Sequence, residues 1–182
     1  MDEMPVCQVK LRGFHGESDS PRLWGCLKQS HVVRWWGDAG RELPALAHQS
    51  PENAAIIMAK GIPVGFMCWQ RPSREELAAV SLGDLPANLV DVDLLIGESS
   101  LLGQGIGPRA LLLLRERLCA DPLVSHLGVG TSASNERAVR AYRKAGFPLF
   151  RSFEDSQWGP WLYMVAECPS GERAKSKKHL MK

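Results

Sequence analysis

The sequence predicts an α/β (α+β) domain, a mixed central β-sheet of about six to seven strands flanked by helices. Three observations carry this expectation. Val90 to Leu118 reads as a strand, a glycine-rich turn and a helix in succession. Leu123 to Phe147 repeats the step from strand to helix, and two other stretches, Ala54 to Trp69 and Leu149 to Val165, read as pairs of strands.

Taken in order, Val6 to Arg12 alternates, with Val9 and Leu11 opposite Gln8, Lys10 and Arg12, as a strand with one exposed side does. Asp19 or Ser20 before Pro21 starts a helix through Leu27, with Leu23, Trp24 and Leu27 as its apolar face. Ser30 is an N-cap for a short helical turn carrying Trp35 and Trp36. Both rings cannot face inward on a single turn, so one lines a surface or cleft. They are either core-edge aromatics or a wall against which a cation rests. Leu43 to His48 is a short helix, a candidate flap. Ala54 to Ala59 and Val64 to Trp69 form a hairpin turned by Lys60 and Gly61. Residues 71–88 are the least regular section, with one helical turn at R-P-S-R-E-E-L-A-A-V.

The central stretch, from Val90, reads V-D-V-D-L-L-I-G-E-S-S-L-L-G-Q-G-I-G-P-R-A-L-L-L-L. Asp91 and Asp93 fall on one face of its strand, Val92 and Leu94 on the other. Gly103, Gly105 and Gly107 follow at every second position, before a Leu-rich helix from Pro108 to Cys119. Unpaired backbone N–H groups at such a helix start attract phosphate, and glycines permit its close approach. A dinucleotide fingerprint would read G-x-G-x-x-G and a P-loop would end in G-K-[ST]; neither is present. In T-S-A-S-N-E-R-A-V-R-A-Y-R-K-A-G-F, Asn135 or Ser134 caps a second helix with Ala138, Val139, Tyr142 and Ala145 as its stripe, and Gly146 closes it. Strands at Leu149 to Phe153 and Trp161 to Val165 complete the sheet.

With 182 residues, 45% hydrophobic and 23% charged, the chain is expected to be one soluble globular domain over 1–169, followed by a basic, disordered tail over 170–182. A net charge of +2 argues against nucleic acid as a partner, and no apolar run approaches the ~20 residues of a membrane span. The N-terminus M-D-E-M-P lacks the regions of a signal peptide, which suits a cytoplasmic protein. Cys7, Cys26, Cys68, Cys119 and Cys168 are odd in number and widely spaced, and suit five unpaired thiols in a reducing compartment. Neither they nor the five histidines show metal-ligand spacing, so no metal is expected.

The glycine turn and the N-x-x-A-x-x-x-Y-x-K-x-G-F helix resemble the two acetyl-CoA elements of the GCN5-related N-acetyltransferase (GNAT) superfamily, in its order. The usual turn starts with Arg or Gln, where this chain has Leu102. Four stretches are most similar to one branch, the aminoglycoside 6'-N-acetyltransferases: Ser30 to Gly37, Val92 to Gly107, Ser134 to Phe147 and Gly159 to Val165. The resemblance implies a GNAT fold over Val6 to Glu167, acetyl-CoA as co-substrate, a small-molecule amine as partner, and a monomer or homodimer. It places cofactor contacts at Leu94, Leu95, Ile96, at the turn Leu102, Gly103, Gln104, Gly105, Ile106 and Gly107, and at Asn135; Arg109 could reach a CoA phosphate. It places Trp35 and Trp36 on the substrate side, Asp93 beside the acceptor amine and Tyr142 by the thioester. The branch has carboxylates where this chain has Gly130 and Trp158, and Glu154, Asp155 or Asp84 could replace them from loops.

Acetyl transfer needs a deprotonated amine, a polarised thioester and a proton for the leaving thiolate. Asp93 is the expected base and Tyr142 the expected acid, with a backbone N–H near Leu95 as oxyanion donor and no covalent cysteine intermediate. Asp91, a substrate-binding candidate on the same face, could assist Asp93, raise its pKa by like-charge proximity, or pair with an arginine. The resemblance thus implies N-acetylation of a primary amine such as an aminoglycoside 6'-amine. The alternatives are a protein N-terminus, a lysine or a siderophore amine as acceptor, or a non-catalytic acyl-CoA-binding module.

Overall fold

The structure, a computed structural model, describes residues 8–86 and 88–169 of the chain. Val6, Cys7 and the basic tail over 170–182 lie outside the described residues. In chain order the elements are β1 (Val9–Gly13), α1 (Gly16–Leu27), α2 (Ser30–Trp36), α3 (Ala39–Ala47), β2 (Ala54–Ala59), β3 (Ile62–Gln70) and α4 (Arg74–Ala79). They continue as β4 (Leu89–Ile96), a 3₁₀ turn (Ser99–Leu101), α5 (Ile106–Leu118), β5 (His126–Ser132), α6 (Glu136–Lys144), β6 (Leu149–Asp155) and β7 (Gly159–Glu167).

Seven strands form one sheet in the order β1-β2-β3-β4-β5-β7-β6, in which only the β4–β5 pair is parallel. This is the mixed sheet expected from the sequence. Alternation sorts its side chains into two layers. Val90 and Val92 of β4 point to the face covered by α5 and α6, where Ile106, Ala110, Leu111 and Leu114 are buried with Val129 and Phe147. Leu95 points the other way, into a layer with Leu23, Leu27, Val32 and Leu46 from α1, α2 and α3. A smaller cluster beside it joins Leu77, Leu82, Leu85 and Leu89 to Tyr163 and Val165. Asp91 and Asp93 share the face of Leu89 and Leu95, between these last two clusters.

Several boundaries move because side chains compete for the helix starts. α1 begins at Gly16, a turn before the expected start, with Pro21 inside it. Asp19, buried there, accepts from the His15 N–H at 2.9 Å and pairs with Arg12 at 2.6 Å, so it satisfies an orphan donor from inside the first turn. The helix expected over Leu43 to His48 starts at Ala39 because Asp38 accepts from the Arg41 N–H. The turn expected after Arg71 is α4, closed by a Ser73–Glu76 capping box. β5 begins at His126 rather than Leu123, whose side chain is exposed. In the hairpin, Lys60 and Gly61 both take positive φ, 52° and 79°, as a tight turn with matching twist requires.

The expectation of five unpaired thiols is overturned at two of them. Cys119, at the end of α5, is bonded to Cys168, just past β7, across a Cα–Cα distance of 5.4 Å. Forty-nine positions separate them in sequence, so only the packing of α5 beside the sheet reveals the pair. Cys26 and Cys68 are free. Among the described residues no helix is long and apolar enough to cross a membrane, and no His, Cys, Asp and Glu cluster could hold a metal.

Candidate active site

The two central strands part. β4 and β5 are paired only at Leu89–His126, Val90–Leu127 and Asp91–Gly128. Beyond that point β4 stays with β3 as far as Ile96 opposite Gly65, while β5 stays with β7 as far as Ser132 opposite Trp161. A cleft of about 430 Å³ opens at the split. Within an antiparallel ladder, the N–H and C=O of one residue point to the same neighbour, and alternate residues point to opposite sides. Gly97 donates to the Val64 carbonyl at 2.8 Å, which fixes the phase: Asp93 and Leu95 bond to β3, while Leu94 and Ile96 turn their backbone groups to the open side. The expected oxyanion donor near Leu95 is therefore not the Leu95 N–H. Leu94 and Ile96 offer theirs, and the Ile96 carbonyl accepts from His31 Nε2 at 2.9 Å.

Asp93 stands at the floor of this cleft. Its side chain is exposed to the water of the cleft and ringed by the other lining residues. The crowding, then the negative charges of Asp91 and Glu42, push its pKa up to about 7. Asp91 does not line the cleft, which corrects its expected role as a substrate contact. Tyr163 donates to Asp91 Oδ1 at 2.8 Å, and a Cβ on the facing Gly128 would collide with that phenol. Burial raises the Asp91 pKa, against the Tyr163 hydrogen bond and a bond from the Val92 N–H, which favour the carboxylate. Cys68 sits opposite Asp93 on β3, and burial pushes its thiol up, so it stays protonated and inert.

Tyr142 enters the cleft from α6. Asn135 caps that helix by accepting from the Ala138 N–H at 3.3 Å, which fixes the first turn and so the direction of Tyr142 two turns on. Burial, with the nearby Asp93 and Asp91 charges, holds the phenol protonated by raising its pKa. Asn135 and Tyr142 both line the cleft, as do Leu94, Leu95 and Ile96.

The glycine turn lies at the rim. Gly103 and Gly105 take φ of +79° and +78°, and a Cβ on either would meet nothing within 4 Å, so their outer faces are open. Gly105 is the N-cap of α5, which starts two residues before the expected Pro108. Leu102 and Gly107 reach the cleft lining; Gly103, Gln104, Gly105 and Ile106 do not. Gln104 bends back to donate to the Ser100 carbonyl at 2.8 Å, and the Ile106 side chain is buried in the core, so Ile106 can offer a ligand its backbone alone.

On the other side the walls are side chains. Trp35 and Trp36 both line the cleft, each half-buried, where the single turn leads us to expect one ring there. Trp36 packs on the α1–α3 layer, and Trp35 carries the Arg34 guanidinium 4.7 Å from its centroid. None of the three carboxylates expected to compensate from loops lines the cleft. Asp84 is paired with Arg151 at 2.6 Å, Asp155 accepts from the Gln157 and Trp158 N–H groups, and Glu154 lies apart from the lining. Instead α3 brings Glu42, with Arg41. Glu42, His31, Thr131 and Trp161 are lining residues that sequence reasoning missed. His31 had a signal, standing one helical turn before Trp35 on the same face; Glu42 had none.

Comparison with known proteins agrees with the fold. The profile of the Acetyltransferase (GNAT) domain family matches residues 15–154. An aminoglycoside N(6')-acetyltransferase type 1 from Klebsiella pneumoniae is 31% identical, over 88% of this chain and 84% of its own. Among solved structures, aminoglycoside acetyltransferase AAC(6')-Ib with ribostamycin and coenzyme A superposes with a TM-score of 0.72 at 28% identity, covering 87% of this chain and 93% of that one. The same enzyme with coenzyme A and kanamycin gives 0.70 at 30% identity, over 92% and 99%.

Proposed function

The chain belongs to the GNAT acetyltransferase family and is an N-acetyltransferase, and we propose that it moves the acetyl group of acetyl-CoA to the 6'-amine of an aminoglycoside. The observation that carries the reading is the split between β4 and β5, with Asp93 on its floor, Tyr142 across it and free backbone groups along one edge. An acyl-pantetheine arm, extended and rich in amides, matches such an edge in the way an added strand does. The exposed N–H groups at Gly103 to Gly107 suit its pyrophosphate without a basic side chain.

In this reading Asp93 holds the acceptor ammonium and takes one proton from it. A pKa of about 7 is close to the best value for a base at neutral pH. The free amine attacks the thioester carbonyl directly, and the Leu94 and Ile96 N–H groups are the candidates to stabilise the oxyanion. Tyr142, kept neutral by burial, gives its proton to the departing thiolate and is reprotonated by the second proton that the nitrogen sheds as the amide forms. Acetyl-CoA is a cytoplasmic metabolite, which supports that compartment for the protein.

The test is acetyl-CoA turnover with two aminoglycosides that differ only in a 6'-amine or a 6'-hydroxyl, with the product identified by mass. The amine should gain one acetyl group and the hydroxyl compound none. No product with any 6'-amino compound would sink the proposal.

A further inference from the structure

The acceptor half of the cleft is more aromatic than acidic. Trp35, Trp36, Trp158 and Trp161 line it, and the cleft as a whole carries two carboxylates, Asp93 and Glu42, against two guanidiniums, Arg41 of α3 and Arg137 of α6. Such a balance gives no net attraction for a highly charged cation.

Two of the tryptophans are set in place by the backbone around them. Trp161 of β7 leans across Gly130 of β5: a Cβ there would meet the indole Nε1 at 2.7 Å and Cε2 at 3.3 Å. No side chain, a carboxylate included, can occupy that part of the wall while Trp161 is present. Trp158 sits in the β6–β7 turn, which Asp155 ties by accepting from the Gln157 and Trp158 N–H groups, both at 2.8 Å. Its ring comes within 3.9 Å of where a Cβ of Gly37 would lie, and Glu42 Oε1 within 4.0 Å of the same point. The ring and that carboxylate therefore converge at the end of α2.

We infer that Trp158 and Trp161 make this an acceptor subsite for lightly charged amino sugars, held by their ring faces, with one ammonium seated between Asp93 and Glu42. This rests on the proposed reaction and adds the class of acceptor. The C–H faces of a pyranose pack on indoles, and the ammonium gains cation–π attraction at their edge of the cleft. Further ammonium groups find Arg41, and no third carboxylate, among the side chains that line the cleft. Binding of this kind depends little on ionic strength, because charge pairing contributes a small part of it.

The experiment compares methyl 6-amino-6-deoxyglucoside, a ring with a single aminomethyl group, with kanamycin, a polycation. Initial rates of thiol release are measured at saturating acetyl-CoA as salt is raised from roughly 50 to 500 mM. Binding is followed in parallel by quenching of tryptophan fluorescence. The mono-amine should reach a kcat/KM within about tenfold of kanamycin or above it, and its KM should change less than about threefold with salt. Trp158→Asp should raise kcat/KM for kanamycin by about tenfold and make it salt-sensitive, while Trp158→Phe, with a smaller ring, should raise the mono-amine KM about threefold and leave its salt dependence weak. Kanamycin preferred by more than about a hundredfold, with a steep salt dependence, would overturn the inference. Salt-insensitive quenching by the mono-amine with no turnover of either compound would uphold the ring-face grip and reject the reaction. Absence of quenching by the mono-amine would reject the grip.

Discussion

The two sides of the cleft that we propose for the cofactor and for the acceptor are built from different materials. Along the cofactor side, the recurring parts are backbone: the open edge at Leu94 and Ile96, two glycines at positive φ, and the N-terminus of α5. Across from it the parts are side chains from α2, α3, β5 and the β6–β7 hairpin, assembled from more than a hundred positions of chain. A backbone site binds what every acyl-CoA shares. A side-chain site can change its partner with a few substitutions, and here Trp161 shuts out any side chain at position 130. Asp93 stands where the two meet.

If the halves are separable, removing the group between them should stop the chemistry and leave cofactor binding alone. Asp93→Asn is expected to lower kcat by roughly 10²–10⁴, the range for loss of a general base, with acetyl-CoA affinity unchanged by calorimetry. Tyr142→Phe should cost less, since water in the open cleft can supply the second proton. Undiminished turnover in Asp93→Asn at neutral pH would take this carboxylate out of the mechanism.

A change on the cofactor side should weaken only that side. Gly105→Val puts a β-branched residue at φ +78°, where L-residues are strained by about 1–2 kcal/mol, and adds bulk to an open face. The KM for acetyl-CoA should rise roughly tenfold, with the acceptor KM within twofold of wild type. Equal loss on both sides, in a folded variant, would mean that the turn does not serve the cofactor alone.

The smallest expected effect concerns pH. Asp93 must be ionised to take a proton, so kcat/KM should rise with pH through about 7. Asp91 is one of the charges that raise the Asp93 pKa, so Asp91→Asn should move this limb to lower pH, with little change in the plateau. Glu42, the other charge that raises it, remains in that variant and keeps part of the shift. A limb that stays in place would show that Asp91 is neutral in the working enzyme.

Sequence alone carried the periodic elements and the local motifs. β4, the glycine turn and α5 are contiguous, and so are Asn135, Tyr142 and Gly146 on α6; helix and turn propensities act over a few residues and are written in order. Asp93 and Tyr142 could be singled out for the same reason, each lying within such a run. Tertiary structure decided the rest. Ladder phase gave the open backbone groups to Leu94 and Ile96 rather than Leu95, and a phenol from β7 took Asp91 away from the acceptor. Packing also joined Cys119 to Cys168, brought Glu42 to the cleft and laid Trp161 over Gly130. Each depends on two segments far apart in the chain meeting in one register, and a pattern of period 2 or 3.6 fixes which face a residue takes but not which neighbour it meets there.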